Sequence, residues 1–163
     1  MNIFESRDVW LGFVQDYTRQ IFEKNKKSDS IEYDPITRLP SYSSFTEIVK
    51  NTLDNTNHCW LASMHLNGLE KLGTFLTVDN TNHCITSVAE TIKGFGSDDI
   101  IFGSKSNYEI CILFKNLDKS AVYSILKNMN DAVRHCVFTD DFGEFIYISD
   151  RSSLSLSVGC FSY

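Results

Sequence analysis

A chain of 163 residues, 42% hydrophobic and 22% charged, is one domain's worth of globular protein, with enough apolar mass for a single layered core. Its formal net charge of −6 argues against broad contact with a phosphate backbone, so nucleic acid is not an expected partner. No apolar run approaches the roughly 20 residues of a membrane span and no secretory core follows Met1. The segment is therefore not expected to insert into a membrane. It reads as cytoplasmic, alone or as the cytoplasmic part of a larger, membrane-tethered protein.

The cysteines are Cys59, Cys84, Cys111, Cys136 and Cys160. Their number is odd, no CxxC occurs and three lie in apolar strand segments, which reads as buried, reduced thiols.

The first predicted element is a helix over residues 6–25. Trp10, Val14, Tyr17 and Ile21 step by four, three and four, an a/d seam just under two heptads long, and Val9, Phe13 and Phe22 widen it. A seam this short leaves two readings open: packing on its own domain, or self-association and partner binding. Lys24 to Ser30 is polar and reads as a linker. Residues 1–33 are thus expected to be an N-terminal helix and linker, and 34–163 the domain proper.

The only two prolines, Pro35 and Pro40, mark a rigid turn before a helix starting near Ser41 or Ser43, with Ser44 and Glu47 in capping-box spacing. Phe45 to Leu53 continues as helix, and Cys59 to Leu66 reads as a buried strand. A helical region follows from Gly68 to Leu76. A second helix, Asn82 to Phe95, carries Ile85, Val88, Ala89 and Ile92 at helical spacing. Ile100–Phe102 and Tyr108–Phe114 flank the polar Ser104-Lys105-Ser106-Asn107 and predict a β-hairpin, expected in the middle of the sheet. Asp118 to His135 is amphipathic, with Val122, Ile125, Leu126, Met129 and Val133 on one face. Strands are predicted at 145–148 and 154–161, the last alternating at Leu154, Leu156 and Val158. The order predicts an α+β fold: a mainly antiparallel central sheet covered by helices. No Gly-rich phosphate loop follows a strand.

Two polar constellations remain. Asp-Asn-Thr-Asn-His-Cys occurs at 54–59 and at 79–84, supplying His58, Cys59, His83 and Cys84. These are zinc-ligand types, but His and Cys are adjacent in each copy, and adjacent strand residues point to opposite faces. The repeat reads as chance, and neither a metal site nor a cofactor is expected. Asp140, Asp141 and Glu144 read as a solvated acidic turn.

Three stretches resemble the GGDEF (diguanylate cyclase) family. Asp34-Pro35-Ile36-Thr37-Arg38-Leu39-Pro40-Ser41-Tyr42-Ser43-Ser44-Phe45 is similar to that family's entry motif, with Asp34, Thr37, Leu39, Pro40 and Phe45 matching and Arg38, Ser41 and Tyr42 departing. Ser106-Asn107-Tyr108-Glu109-Ile110 falls on the signature hairpin, where only Glu109 is identical. Leu154 to Phe161 resembles the closing strand, after which the family continues into one more helix. The resemblance implies a GGDEF, class III nucleotidyl cyclase-like fold over 34–163. It also says what a cyclase would need: two GTP molecules, one from each half of a dimer, and two divalent metals on hard oxygen ligands that polarise their phosphates. In this chain His65 stands for the first metal carboxylate, Tyr108 for the metal-binding acid of the hairpin, and Ser106 and Asn107 for the glycines that approach phosphate. Glu70 stands for a lysine. Gly73 and Asn82 stand for the guanine readers, in a register supported by Ile85 and Ala89 landing on the family's helix positions. The product-inhibition motif is absent: Asp99 is present, but no arginine lies between Arg38 and Arg134.

The expectation is therefore a domain without cyclase activity, acting as a regulatory or protein-interaction module in cyclic di-GMP signalling. The resemblance implies a protein partner or self-association through the N-terminal helix, or an EAL-type phosphodiesterase domain in a longer chain. A nucleotide sensor without turnover stays open through Asn82, Lys105 and Glu109. An enzyme of altered substrate would need a metal site that the sequence does not offer. His65 with Glu109 as an acid/base pair lacks a nucleophile and a phosphate cradle.

Overall fold

Alternation along one nine-residue strand sets the architecture. In Cys59–Asn67 (β2), Trp60, Ala62, Met64 and Leu66 point into one apolar cluster, and Cys59 and Leu61 into another. Successive side chains of a strand face opposite ways, so a strand apolar on both sides must be covered on both sides. The computed structural model describes residues 3–4, 31–55, 58–72, 76–140, 142–146 and 154–162. The other elements are β1 (Ile3–Phe4), α1 (Tyr42–Leu53), α2 (Leu69–Leu72), α3 (Val78–Lys93), β3 (Ile100–Ser106), β4 (Glu109–Lys115), α4 (Lys119–Arg134) and β5 (Ser155–Ser162).

The sheet runs in the order β1-β5-β2-β4-β3. β2 pairs antiparallel with β4 and β5, and β3 with β4, while β1 runs parallel to β5. The larger cluster joins the even-numbered faces of β2, β4 and β5 to Cys84, Ile85, Val88, Ala89 and Ile92 of α3 and Val122, Leu126, Met129 and Val133 of α4. The smaller joins Cys111 and Leu113 of β4 and the odd face of β2 to Phe45 and Val49 of α1. Helices therefore cover both faces, and the mainly antiparallel α+β expectation holds.

The helices start where side chains meet the first free N–H groups. Ser41 Oγ accepts from Ser44 N (3.3 Å), Thr77 Oγ1 from Asn80 N (3.2 Å) and Asp118 Oδ1 from Ala121 N (2.7 Å). Ser41, not a Ser44–Glu47 box, thus caps α1; the Ser44 hydroxyl instead accepts from Glu32 N (2.9 Å). α3 begins at Val78, four residues before the expected start, because Thr77 is the capping hydroxyl. The helical region predicted from Gly68 to Leu76 is helix over Leu69–Leu72, and residues 73–75 lie outside the described residues.

The entry segment is a tight loop built on one carboxylate. Asp34 Oδ1 accepts from Ile36 N (3.1 Å), Thr37 N (2.7 Å) and Thr37 Oγ1 (2.8 Å). The loop is then stitched outward: Ser104 N of β3 donates to Pro40 O (2.8 Å) and Thr86 Oγ1 of α3 to Ile36 O (2.9 Å).

Four expectations change. The hairpin β3–β4 forms one side of the sheet with β3 outermost on that side, and the central strand is β2. The polar segment Ser104–Asn107 is not a four-residue turn: β3 runs through Ser106, with a register shift between Ser104 and Ser106, and the turn is Asn107–Tyr108. The strand predicted at 145–148 is a single bridge, Thr139 to Phe145, with 147–148 outside the described residues. Residues 1–33 are not wholly a separate helix and linker, because Ile3 and Phe4 pair with Val158 and Gly159 and Tyr33 bridges Pro40. The helix predicted over 6–25, with Trp10, Val14, Tyr17 and Ile21, lies outside the described residues.

Candidate functional site

At the end of the sheet nearest the Asn107–Tyr108 turn, the odd-numbered face of β2 changes from apolar to polar. Cys59 and Leu61 give way to Ser63, His65 and Asn67. Leu66 N donates to Tyr108 O (2.8 Å), so those two form a hydrogen-bonded pair and His65 and Glu109 the closer, non-hydrogen-bonded pair beside it. Ser157 of β5 flanks His65 on its other side, and Ser106 faces Glu109 across the hairpin. Asn67 Nδ2 donates to Ser155 Oγ (3.1 Å) and Ser157 Oγ (2.8 Å). His65, Ser106 and Glu109 thus share one polar face.

Lys105 sits at the register shift, and its Nζ lies 3.3 Å from Glu109 Oε2, with the side chains 37% and 34% exposed. A pair that open to water adds little stability. Its consequence is electrostatic, since the Glu109 charge already has a partner. Tyr108 takes the opposite face and packs against the larger cluster, on the side where α3 carries half-buried Asn82. The sequence reading put the hairpin's metal-binding acid at Tyr108. Across the ladder from His65 stands Glu109, the retained acid, because strand parity decides which side chains meet. Asn107 is exposed in the turn, and Gly73 lies outside the described residues. What the sequence reading missed is the contribution of β5: Ser155 and Ser157 alternate toward this face, a period-two signal visible in Leu-Ser-Leu-Ser-Val.

The His-Cys repeat does not assemble. Cys59 belongs to the α1 side of the sheet and Cys84 to the α3 side. Among the described residues no three His, Cys, Asp or Glu side chains are grouped to hold a metal ion. All five cysteines are buried. Burial pushes the Cys111 thiol up to about 12, with Lys105 opposing and Glu109 adding to the rise. Burial and nearby Cys136 push Cys84 up to about 11, and burial alone raises Cys59.

These thiols predict alkaline destabilisation. The folded state holds them neutral, so nothing is lost below the ordinary thiol value of 9.0. Above it the unfolded chain ionises first, and stability falls as pH rises toward 11 and 12. Urea midpoints measured on both sides of that threshold should drop with pH, and Cys111→Ala should flatten the slope. An unchanged slope in the variant would contradict the assignment.

No family model matches this chain, and no curated protein matches it. Solved structures do. The GGDEF domain of FimX from Pseudomonas aeruginosa superposes with a TM-score of 0.68 at 18% identity, covering 80% of this chain and 78% of that one. Diguanylate cyclase SiaD from the same organism, in complex with its activator SiaC, gives 0.69 at 16%, covering 96% of this chain and 56% of that one. The S helix–GGDEF–EAL structure of Vibrio cholerae LapD, bound to c-di-GMP, gives 0.63 at 15%, covering 92% of this chain and 32% of that one. Among the described residues no helix is long and apolar enough to cross a membrane. At these identities the likeness speaks for architecture, and the architecture of this chain is that of a GGDEF domain.

Proposed function

We propose that the chain is a catalytically inactive GGDEF-like module that regulates by protein contact in cyclic di-GMP signalling. The observation that carries the reading is the pairing around Glu109. A cyclase of this fold needs hard oxygen ligands for a divalent cation such as Mg²⁺. Among the described residues the polar face offers one carboxylate, ion-paired to Lys105 at 3.3 Å, with an imidazole directly across the ladder. Imidazole favours softer transition metals, and Lys105 competes for the one carboxylate with any cation. These residues do not fit such a metal, so no chemical step is assigned to it. The Asn67 amide, bonded to Ser155 and Ser157, adds no charge.

Support for a protein partner comes from the relatives: SiaD is held with its activator, and LapD carries an EAL domain in the same chain. The seam Trp10, Val14, Tyr17 and Ile21 would serve a partner or a second copy, and an EAL-type domain in a longer chain is the other candidate.

The expected result is no cyclic di-GMP from GTP and Mg²⁺ at concentrations where a working cyclase turns over. Product formation would overturn the proposal. A thermal-shift titration with GTP and with cyclic di-GMP separates the sensor reading, because a ligand of the native state adds RT ln(1 + [L]/Kd) to stability. No shift is expected. A shift without turnover would replace the interaction reading with that of a nucleotide sensor.

A further inference from the structure

The segment after α4 does two opposite things at once. Phe138 and Ile146 are buried in the larger cluster, and Ile146 N donates to Phe138 O (2.9 Å). Between them the chain makes a tight turn that puts Phe142 and Phe145 into solvent, 91% and 78% exposed, with Val137 52% exposed beside its base. The turn is well braced. Asp140 Oδ1 accepts from Phe142 N and Glu144 N, both at 2.9 Å. Asp140 N donates to Glu144 O (2.9 Å), Gly143 N to Asp140 O (3.0 Å), and Gly143 takes φ +78°, which a side chain would resist.

Scattered surface apolar residues are ordinary, but two phenylalanines lifted clear on a braced turn are not. Holding them in place before contact removes much of the ordering cost of binding, and aromatic side chains are the usual anchors of an interface. Charge then narrows the partner. Between Arg134 and Arg151 the sequence carries Asp140, Asp141, Glu144 and Asp150 and no lysine or arginine, so the turn itself is acidic. An anionic membrane surface or a nucleic acid would repel that run. A second copy of this chain, itself at −6, is poorly matched in charge.

We propose that the Phe142–Phe145 turn is a docking finger for a protein partner whose apolar pocket is rimmed by lysine or arginine. This deepens the protein-contact reading and rests on it. It places the contact on the segment after α4, whose Phe138 and Ile146 pack on the larger cluster, the face of the sheet opposite His65 and Glu109.

The test uses the full chain in its native cells, with the photo-crosslinker 4-benzoylphenylalanine in place of Phe142. The expected adduct is with a distinct protein, crosslinked at an apolar segment beside basic residues. That protein, purified, should bind the wild-type chain and lose about tenfold or more in affinity to Phe142→Ser with Phe145→Ser. Its affinity should also fall as salt is raised to about 0.5 M, where exposed charges are screened. The double variant should melt within a few degrees of wild type, since exposed positions contribute little to stability. Several results would overturn the proposal: no adduct, an adduct of twice the chain mass, a crosslinked protein that binds the double variant equally well, or binding indifferent to salt. Cyclic di-GMP synthesis by the same preparation would overturn the inactivity reading instead, and it is read in a separate assay.

Discussion

Gly103→Ala should destabilise the domain by about 3 kcal/mol, the upper end for one methyl forced into a packed core. A Cβ on Gly103 would lie 2.4 Å from both Cβ and Cγ of Phe45. Phe45 Cβ is fixed to the backbone of α1, so no rotation of the side chain relieves the clash and α1 itself would have to lift from β3. Phe45 is fully buried in the cluster that α1 makes with the sheet, and α1 packs on β3 more than on any other strand. The decisive measurement is a double-mutant cycle by urea unfolding. Phe45→Ala alone should cost about 4 kcal/mol as a large-to-small core change. Phe45→Ala removes Cγ but keeps the clashing Cβ, so in that background Gly103→Ala should still destabilise by about half as much, giving a coupling of about 1–2 kcal/mol. If Gly103→Ala alone unfolds like wild type, α1 does not sit where described.

Asp34→Ala should cost a comparable amount, about 3 kcal/mol, because one charged acceptor serves two N–H groups and a hydroxyl of the entry loop. Thr37, which supplies two of those donors, is itself buried and would be left with its hydroxyl and N–H short of a partner. Asp34→Asn keeps an acceptor oxygen and should cost about a third as much. The loss should also reach the hairpin. Pro40 O accepts from Ser104 N, two residues before the strand end that carries Ser106. Hydrogen exchange at the Ser104 amide should therefore accelerate in Asp34→Ala, beyond what the global loss explains. Equal protection in both proteins would mean that the loop braces only itself.

Asp34 and Phe45 belong to the entry motif, which was the most readable part of the chain. Asp34, Thr37, Leu39, Pro40 and Phe45 were all picked out from sequence, and each has a role here: three as loop stitches and two as core residues. The reason is local. An Asx turn closed within three residues and a capped helix leave their marks on adjacent positions. Gly103 went unnoticed because its constraint comes from Phe45, far away in the chain.

The site was half legible. The sequence named His65, Ser106, Asn107 and Tyr108 as departures from a cyclase pattern and Glu109 as the retained acid, but grouped them by motif. Pairing across β2 and β4 sorts them by face, joining His65 to Glu109 and sending Tyr108 to the other side. The serines of β5 enter only because that strand lies on the opposite side of β2 from the hairpin. Phe142 was likewise passed over as part of an acidic turn and Phe145 read as the start of a strand, since composition alone does not say which way a turn projects.

Sequence by itself determined the α+β class, the four long strands and the two long helices α3 and α4, because burial on one face imposes a period that each segment carries alone. Tertiary structure decided the strand order, the edge position of β3, the parallel pairing of Ile3–Phe4 with β5 and the meeting of His65 with Glu109. Those outcomes depend on contacts between segments separated by tens of residues. Periodicity within a segment fixes which face is apolar, but leaves open which neighbour will cover it.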